Sequence, residues 1–235
     1  ASGTPTLQLN GVTVSSGTTN VGGLLTLAST GVSLGAGYAW TLNNNGVLST
    51  YTSTSDGAPT ALASNAVATV APGLSVSKTG VISGSYGLTV TGGGTLTLGG
   101  TNTYTGTTTV NAGTTVIAGN SSAFGTGPVV VNSGGALDLG GQTVQGGSNS
   151  LLTLNGTGIN SGGALLNSGS GTATWSGPLA LGSNSSIVAG SGIINLSNTA
   201  SINGAGYNLT LGGTQAGSSL AGVLATGSGS LTKLG

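Results

Sequence analysis

Gly94-Thr95-Leu96-Thr97-Leu98-Gly99-Gly100-Thr101-Asn102-Thr103-Tyr104-Thr105-Gly106-Thr107-Thr108-Thr109-Val110-Asn111-Ala112-Gly113-Thr114-Thr115-Val116-Ile117 decides how the whole chain reads. Leucine and valine alternate with threonine, and glycine and asparagine fill the intervals. A period of two puts apolar side chains on one face of a strand and hydroxyls on the other. The stretch therefore predicts strand, turn, strand, turn, strand.

The same grammar extends in both directions. After this stretch come Val129/Val131, Leu137/Leu139, Leu152/Leu154, Leu165/Leu166, Leu179/Leu181, Ile187/Val188, Ile194/Leu196, Leu209/Leu211 and Val223/Leu224. Before it come Leu74/Val76, Val81/Ile82 and Leu88/Val90. Nearly every interval holds glycine with asparagine, serine or threonine, and no amphipathic helix interrupts the run. Further upstream, Leu7/Leu9 and Val12/Val14 flank Asn10-Gly11, a two-strand signal, and Leu25/Leu27, Val32/Leu34 and Trp40/Leu42 follow. Asp56-Gly57-Ala58-Pro59 is a turn signal. The alanine-rich stretch 58–71 is expected to be a loop or short crossover. It divides a β-rich segment, 1–73, from a solenoid, 74–235.

Many short strands at near-regular spacing mean a sandwich, a barrel or a solenoid. Their brevity favours an all-β, parallel β-solenoid (β-helix), with a β-sandwich as the alternative for part of the N-terminal region. Internal similarity points the same way: Leu231-Thr232-Lys233-Leu234-Gly235 nearly repeats Leu88-Thr89-Val90-Thr91-Gly92. The second copy stops where a Gly-Thr-Leu-Thr-Leu block is due, so the expectation is a chain cut from a longer polypeptide or left open for a neighbour. Coils of about 23 residues give about ten coils and a rod of roughly 50 Å.

Composition narrows the chemistry. Of 235 residues, 49 are glycine and only 2% are charged: Asp56, Lys78, Asp138 and Lys233. Neutral groups must keep the surface wet, and a chain of zero net charge repels its own copies weakly, which points to assembly. Stacked coils would set like charges on top of one another, a problem this sequence avoids. Absence of both cysteine and methionine suits an extracellular life. No run approaches the eighteen apolar residues of a membrane-spanning helix. The start, Ala1-Ser2-Gly3-Thr4-Pro5, has the look of a mature end left by processing.

The motif Gly92 to Gly106, continued by Thr107 to Ile117, resembles the passenger-associated transport repeat of bacterial autotransporters, with Asn102-Thr103-Tyr104-Thr105-Gly106 as its specific part. Gly94, Leu96, Leu98, Asn102, Tyr104, Gly106, Val110 and Gly113 are the residues that define the repeat here. Thr115 departs from the pattern, which usually has leucine at that place. The resemblance implies a right-handed parallel β-helix exported to the bacterial cell surface, and a repeat linked to secretion that carries no catalytic residue.

Enzymatic chemistry finds few tools. Histidine, cysteine and glutamate are absent, so a Ser-His-Asp or Cys-His site cannot be built. Asp56 and Asp138 are the only carboxylate side chains for an acid–base pair; the plainer expectation puts Asp56 in a turn and Asp138 at the end of a coil. Gly92-Gly93-Gly94 lacks the lysine and helix of a phosphate loop. Calcium needs clustered carboxylates and nucleic acid needs basic residues. No cofactor and no metal is expected. Trp40, Trp175, Tyr38, Tyr51, Tyr86, Tyr104 and Tyr207 could stack on sugars where exposed, but such rings more often fill cores. Asn120, Asn155, Asn184, Asn195 and Asn208 begin Asn-x-Ser/Thr triplets, a pattern that chance supplies in this composition.

The leading expectation is therefore not an enzyme but a structural extracellular or outer-surface protein: a fibre, filament, sheath or adhesin stalk whose partner is its own kind. An adhesin passenger that binds surface glycans is the second reading. Ice binding by rows such as Thr101-Thr103-Thr105 and Thr107-Thr109 is the third. Acid unfolding mostly reflects protonation of paired carboxylates. With so few of them, folding stability should be nearly flat from about pH 2 to 9, and a steep loss of β circular dichroism in acid would contradict this.

Overall fold

Short alternating strands separated by glycine-rich turns can close a core by stacking coil on coil, and the chain does this. The computed structural model describes residues 19–22, 40–43, 47–51, 55–57, 59–145 and 150–234. Across them the chain forms an all-β parallel solenoid of about eight turns. The hairpin expected at Leu7–Val14 lies outside the described residues. So does the β-sandwich alternative, as far as it concerns 1–18 and 23–39. The upstream strands that are described, Thr19–Gly22 and Trp40–Asn43, pair in parallel with each other and then with Thr60–Leu62.

Each coil contributes up to three strands, one per face. The first face stacks Ala66–Val70, Leu88–Thr91, Thr108–Val110, Val129–Val131 and Leu152–Gly156. The second stacks Ser75–Lys78, Thr95–Leu98, Thr115–Ala118, Ala136–Asp138 and Leu165–Asn167. The long strand Leu179–Ala189 serves both. The third face carries Thr60–Leu62 and Ile82–Gly84, then, beyond an irregular interval, Thr143–Val144, Ala173–Trp175, Ile194–Leu196 and Ser219–Leu220.

Register makes the core. Val76, Leu96, Val116, Leu137, Leu165, Ile187 and Leu211 are successive partners in one column. Ala68, Val90, Val110, Val131, Leu154 and Leu181 form another. All are buried except Leu211, which packs against the cluster partly exposed. Coils are 20 residues long where Thr95 meets Thr115 and 28 where Leu137 meets Leu165. The extra length holds a short 3₁₀ turn, Ile159–Ser161.

Two expectations from sequence are corrected. Within the alanine-rich stretch, Thr60–Leu62 and Ala66–Val70 are strands rather than loop, with inward Ala66, Ala68 and Val70 buried. Alanine has weak strand propensity, but a small side chain fits a coil interior and the neighbouring coils supply the hydrogen bonds. Asp56 is not in a turn. It ends the strand Ser55–Asp56 and pairs in register with Lys78. Lys78 points inward, fully buried, below Leu98 in its column, with its Nζ 3.3 Å from the Asp56 carboxylate.

Burial holds the Lys78 amine below its usual pKa of 10.5, a shift that Asp56 opposes. Above that lowered value the folded lysine is neutral while the unfolded one still binds a proton, so stability rises with pH towards 10.5. Burial raises the Tyr104 phenol above its usual 10.0, so the stability that Tyr104 contributes is lost once the unfolded phenol ionises above that pH. The thermal midpoint should climb on the alkaline side towards about pH 10 and then fall. Lys78→Met should flatten the climb, and a level midpoint in the unsubstituted protein would contradict the buried placement.

Candidate functional site

The coil that carries the repeat motif is held from inside by polar groups. Thr95–Leu98 turns at Gly99-Gly100 and runs into Asn102, which is 3% exposed. Its Oδ1 accepts a hydrogen bond from the Ile82 amide of the preceding coil at 2.7 Å. Its Nδ2 donates to the Ala123 carbonyl of the following coil at 2.6 Å. One side chain thus clamps three coils where the third face has no regular strand. Thr101, Thr103 and Thr105 point outward, as alternation requires.

Tyr104 is fully buried, and its hydroxyl and that of Thr108 are 2.6 Å apart. Thr108 occupies an inward slot between Leu88 and Val129. The buried phenol and hydroxyl therefore satisfy each other in the interior. Leu96, Leu98 and Val110 fill inward slots of the first two faces, and Gly94 is buried with its amide donating to the Val70 carbonyl. Gly113 has φ +76°, within a run of left-handed glycines at the same corner: Gly73, Gly93, Gly113 and Gly134. Only glycine adopts this conformation without strain, coil after coil. Gly106 is needed for another reason: a Cβ there would land on the backbone of Tyr86 in the coil before. Thr115 faces outward beside Thr95, so a departure from leucine there leaves the core untouched.

Two interior groups were missing from the sequence reading. Asn167, also fully buried, accepts from Gly141 and Gly169 at 2.8 and 3.0 Å and donates to Gly171 and Ile193 at 2.9 and 3.0 Å. All four hydrogen-bonding positions of its amide are used, as burial demands. Lys78 is the other. Strict alternation within Leu165–Asn167 and Ser75–Lys78 already assigns both to inward slots, and that was the available signal. Asp138 stands near its expected place at a strand end, buried, with Oδ1 accepting from Gly140 and Ser168 at 2.8 and 3.0 Å. Asp56 and Asp138 lie four coils apart, ~19 Å at the usual strand spacing, and do not form a pair.

The Asn-x-Ser/Thr asparagines are inter-coil ties. Asn120 and Asn155 donate through Nδ2 to the carbonyls of Gly99 and Val131. Asn184, Asn195 and Asn208 accept through Oδ1 from Asn208, Ser219 and Ser230. Asn111 and Asn132 join amide to amide at 2.8 Å.

Residues 88–117 match the family model of the passenger-associated-transport-repeat. The match opens four residues before the Gly92 read from sequence and takes in the strand Leu88–Thr91. This repeat and the parallel β-solenoid around it are the features of a passenger-repeat β-helix protein. No curated protein and no solved structure matches the chain. Among the described residues no helix is long and apolar enough to cross a membrane.

Removing the Asn102 amide strands a buried donor and a buried acceptor on two different coils. Asn102→Ala should lower the unfolding free energy by about 2–4 kcal/mol, read by urea denaturation. Thr103→Ala, at the exposed neighbour, should change it by less than about 0.5 kcal/mol.

Proposed function

We propose that this chain is a mechanical segment of a bacterial cell-surface protein, a rod that serves as stalk, fibre or sheath rather than as an enzyme. The observation that carries this reading is the unbroken run of parallel, in-register columns into which the passenger repeat at 88–117 is built. A rod of this kind resists bending because every coil is bonded to both neighbours by backbone and apolar contact. Both carboxylate side chains contribute to that scaffold: Asp56 pairs with Lys78, and Asp138 caps backbone amides. The repeat also supports export as an autotransporter-type passenger. An adhesive role is the second reading, favoured by the outward threonines.

Negative-stain microscopy of the purified chain, paired with antibody labelling of intact cells that express its parent protein, tests the proposal. Stiff rods, alone or joined end to end, and surface label are the expected results. Flexible or globular particles, or label only after cell lysis, would overturn it.

A further inference from the structure

The aromatic residues whose burial is described divide sharply by exposure. Tyr104, Phe124 and Trp175 are buried, whereas Tyr86 is 45% exposed and Tyr207 37%. Tyr86 sits where the third face turns into the first, between Ile82–Gly84 and Leu88–Thr91. The corner position above it is Gly106, and above that Gly127, whose Cβ would land on the Gly106 carbonyl oxygen. The two following coils therefore place no side chain over this corner, and the tyrosine is left unhedged.

Ser85 and Gly87, its two sequence neighbours, line a groove of about 380 Å³ together with Asn65, Thr89, Thr107 and Thr109. Gly106 of the next coil lines it as well. Asn65 uses its Oδ1 to accept from the Gly87 amide at 2.9 Å, which leaves its Nδ2 donors for a ligand. Among the described residues, the hydroxyls of Ser85, Thr89, Thr107 and Thr109 have no protein partner. Thr89 and Thr109 are register partners, so their hydroxyls repeat along the rod at about 4.8 Å. No charged side chain lines the groove.

We propose that Tyr86 and this groove form a binding subsite for a neutral oligosaccharide laid along the rod axis. The apolar face of a sugar ring stacks on the exposed phenol ring of Tyr86, whose sequence neighbours Ser85 and Gly87 line the groove. The sugar hydroxyls exchange hydrogen bonds with Ser85, Thr89, Thr107, Thr109 and the Asn65 amide. An uncharged groove discriminates against uronates and sulfated glycans, which would lose hydration without gaining a counter-charge. The subsite spans the coil before the repeat and the repeat itself, and it goes beyond the rod reading, since it holds whether or not rods assemble.

Saturation-transfer NMR on the intact chain tests this with four linear neutral hexasaccharides, namely β-1,4-glucan, β-1,3-glucan, β-1,4-mannan and β-1,4-linked N-acetylglucosamine, and with hexagalacturonate as the charged counterpart. Transfer to at least one neutral sugar is expected. The affinity should drop at least tenfold in Tyr86→Ala and in the near-isosteric pair Thr89→Val with Thr109→Val. It should be unchanged in Tyr207→Ala, with all variants keeping the parent β circular dichroism. No transfer to any neutral sugar, transfer to hexagalacturonate alone, or binding that survives Tyr86→Ala would overturn the proposal.

Discussion

Everything in this structure depends on parallel backbone hydrogen bonding between successive coils. At a strand spacing of about 4.8 Å, each residue lies directly on its counterpart one coil away, and whatever stands at one position is felt at the next. Apolar residues in register become continuous columns, as in the line from Val76 through Leu96 and Val116 to Leu137. Like charges in register would repel at the same short distance, and the protein has almost no charges to stack. Where coils come closest, as at Gly106 over Tyr86, even a methyl group has no room.

The same constraint explains why the interior is not purely apolar. Where the third face loses regular strand geometry around residues 102–106, backbone groups of the adjoining coils need other partners, and Asn102 supplies them. Asn167 does the same beside the longest coil, with four bonds from one amide. A buried polar group costs stability unless it is satisfied, and both of these are. Lys78 is a different case. Its amine lies in a column under Leu98 and Ala118, and the register that brings Asp56 below it makes that placement tolerable.

Much of this was legible in advance. Period-two alternation separated the inward Leu96, Leu98 and Val110 from the outward threonines, and the Asn-Thr-Tyr core of the motif marked the repeat that the family comparison finds. The alanine-rich stretch was misread because its own strand propensity is low. Its strands exist because Thr60 and Ala66 pair with Ile82 and Leu88 a coil away, and local preference does not report on such partners. Tyrosine shows the same limit. Alternation with Thr103 and Thr105 turns Tyr104 inward, but at the glycine-flanked corner Ser85-Tyr86-Gly87 no such pattern says that the Tyr86 ring faces water.

The sequence by itself determined the solenoid class, the inward and outward faces and the glycine corners, because these follow from alternation and backbone freedom within a few residues. Tertiary structure alone decided which residues share a column. Coil length varies from 19 residues, where Tyr51 meets Val70, to 31, where Thr143 meets Thr174, so the partner of a given side chain cannot be counted off along the chain. That register placed Asp56 against Lys78, set Asn102 between Ile82 and Ala123, and left Tyr86 exposed at a corner that the next coil covers with Gly106 alone.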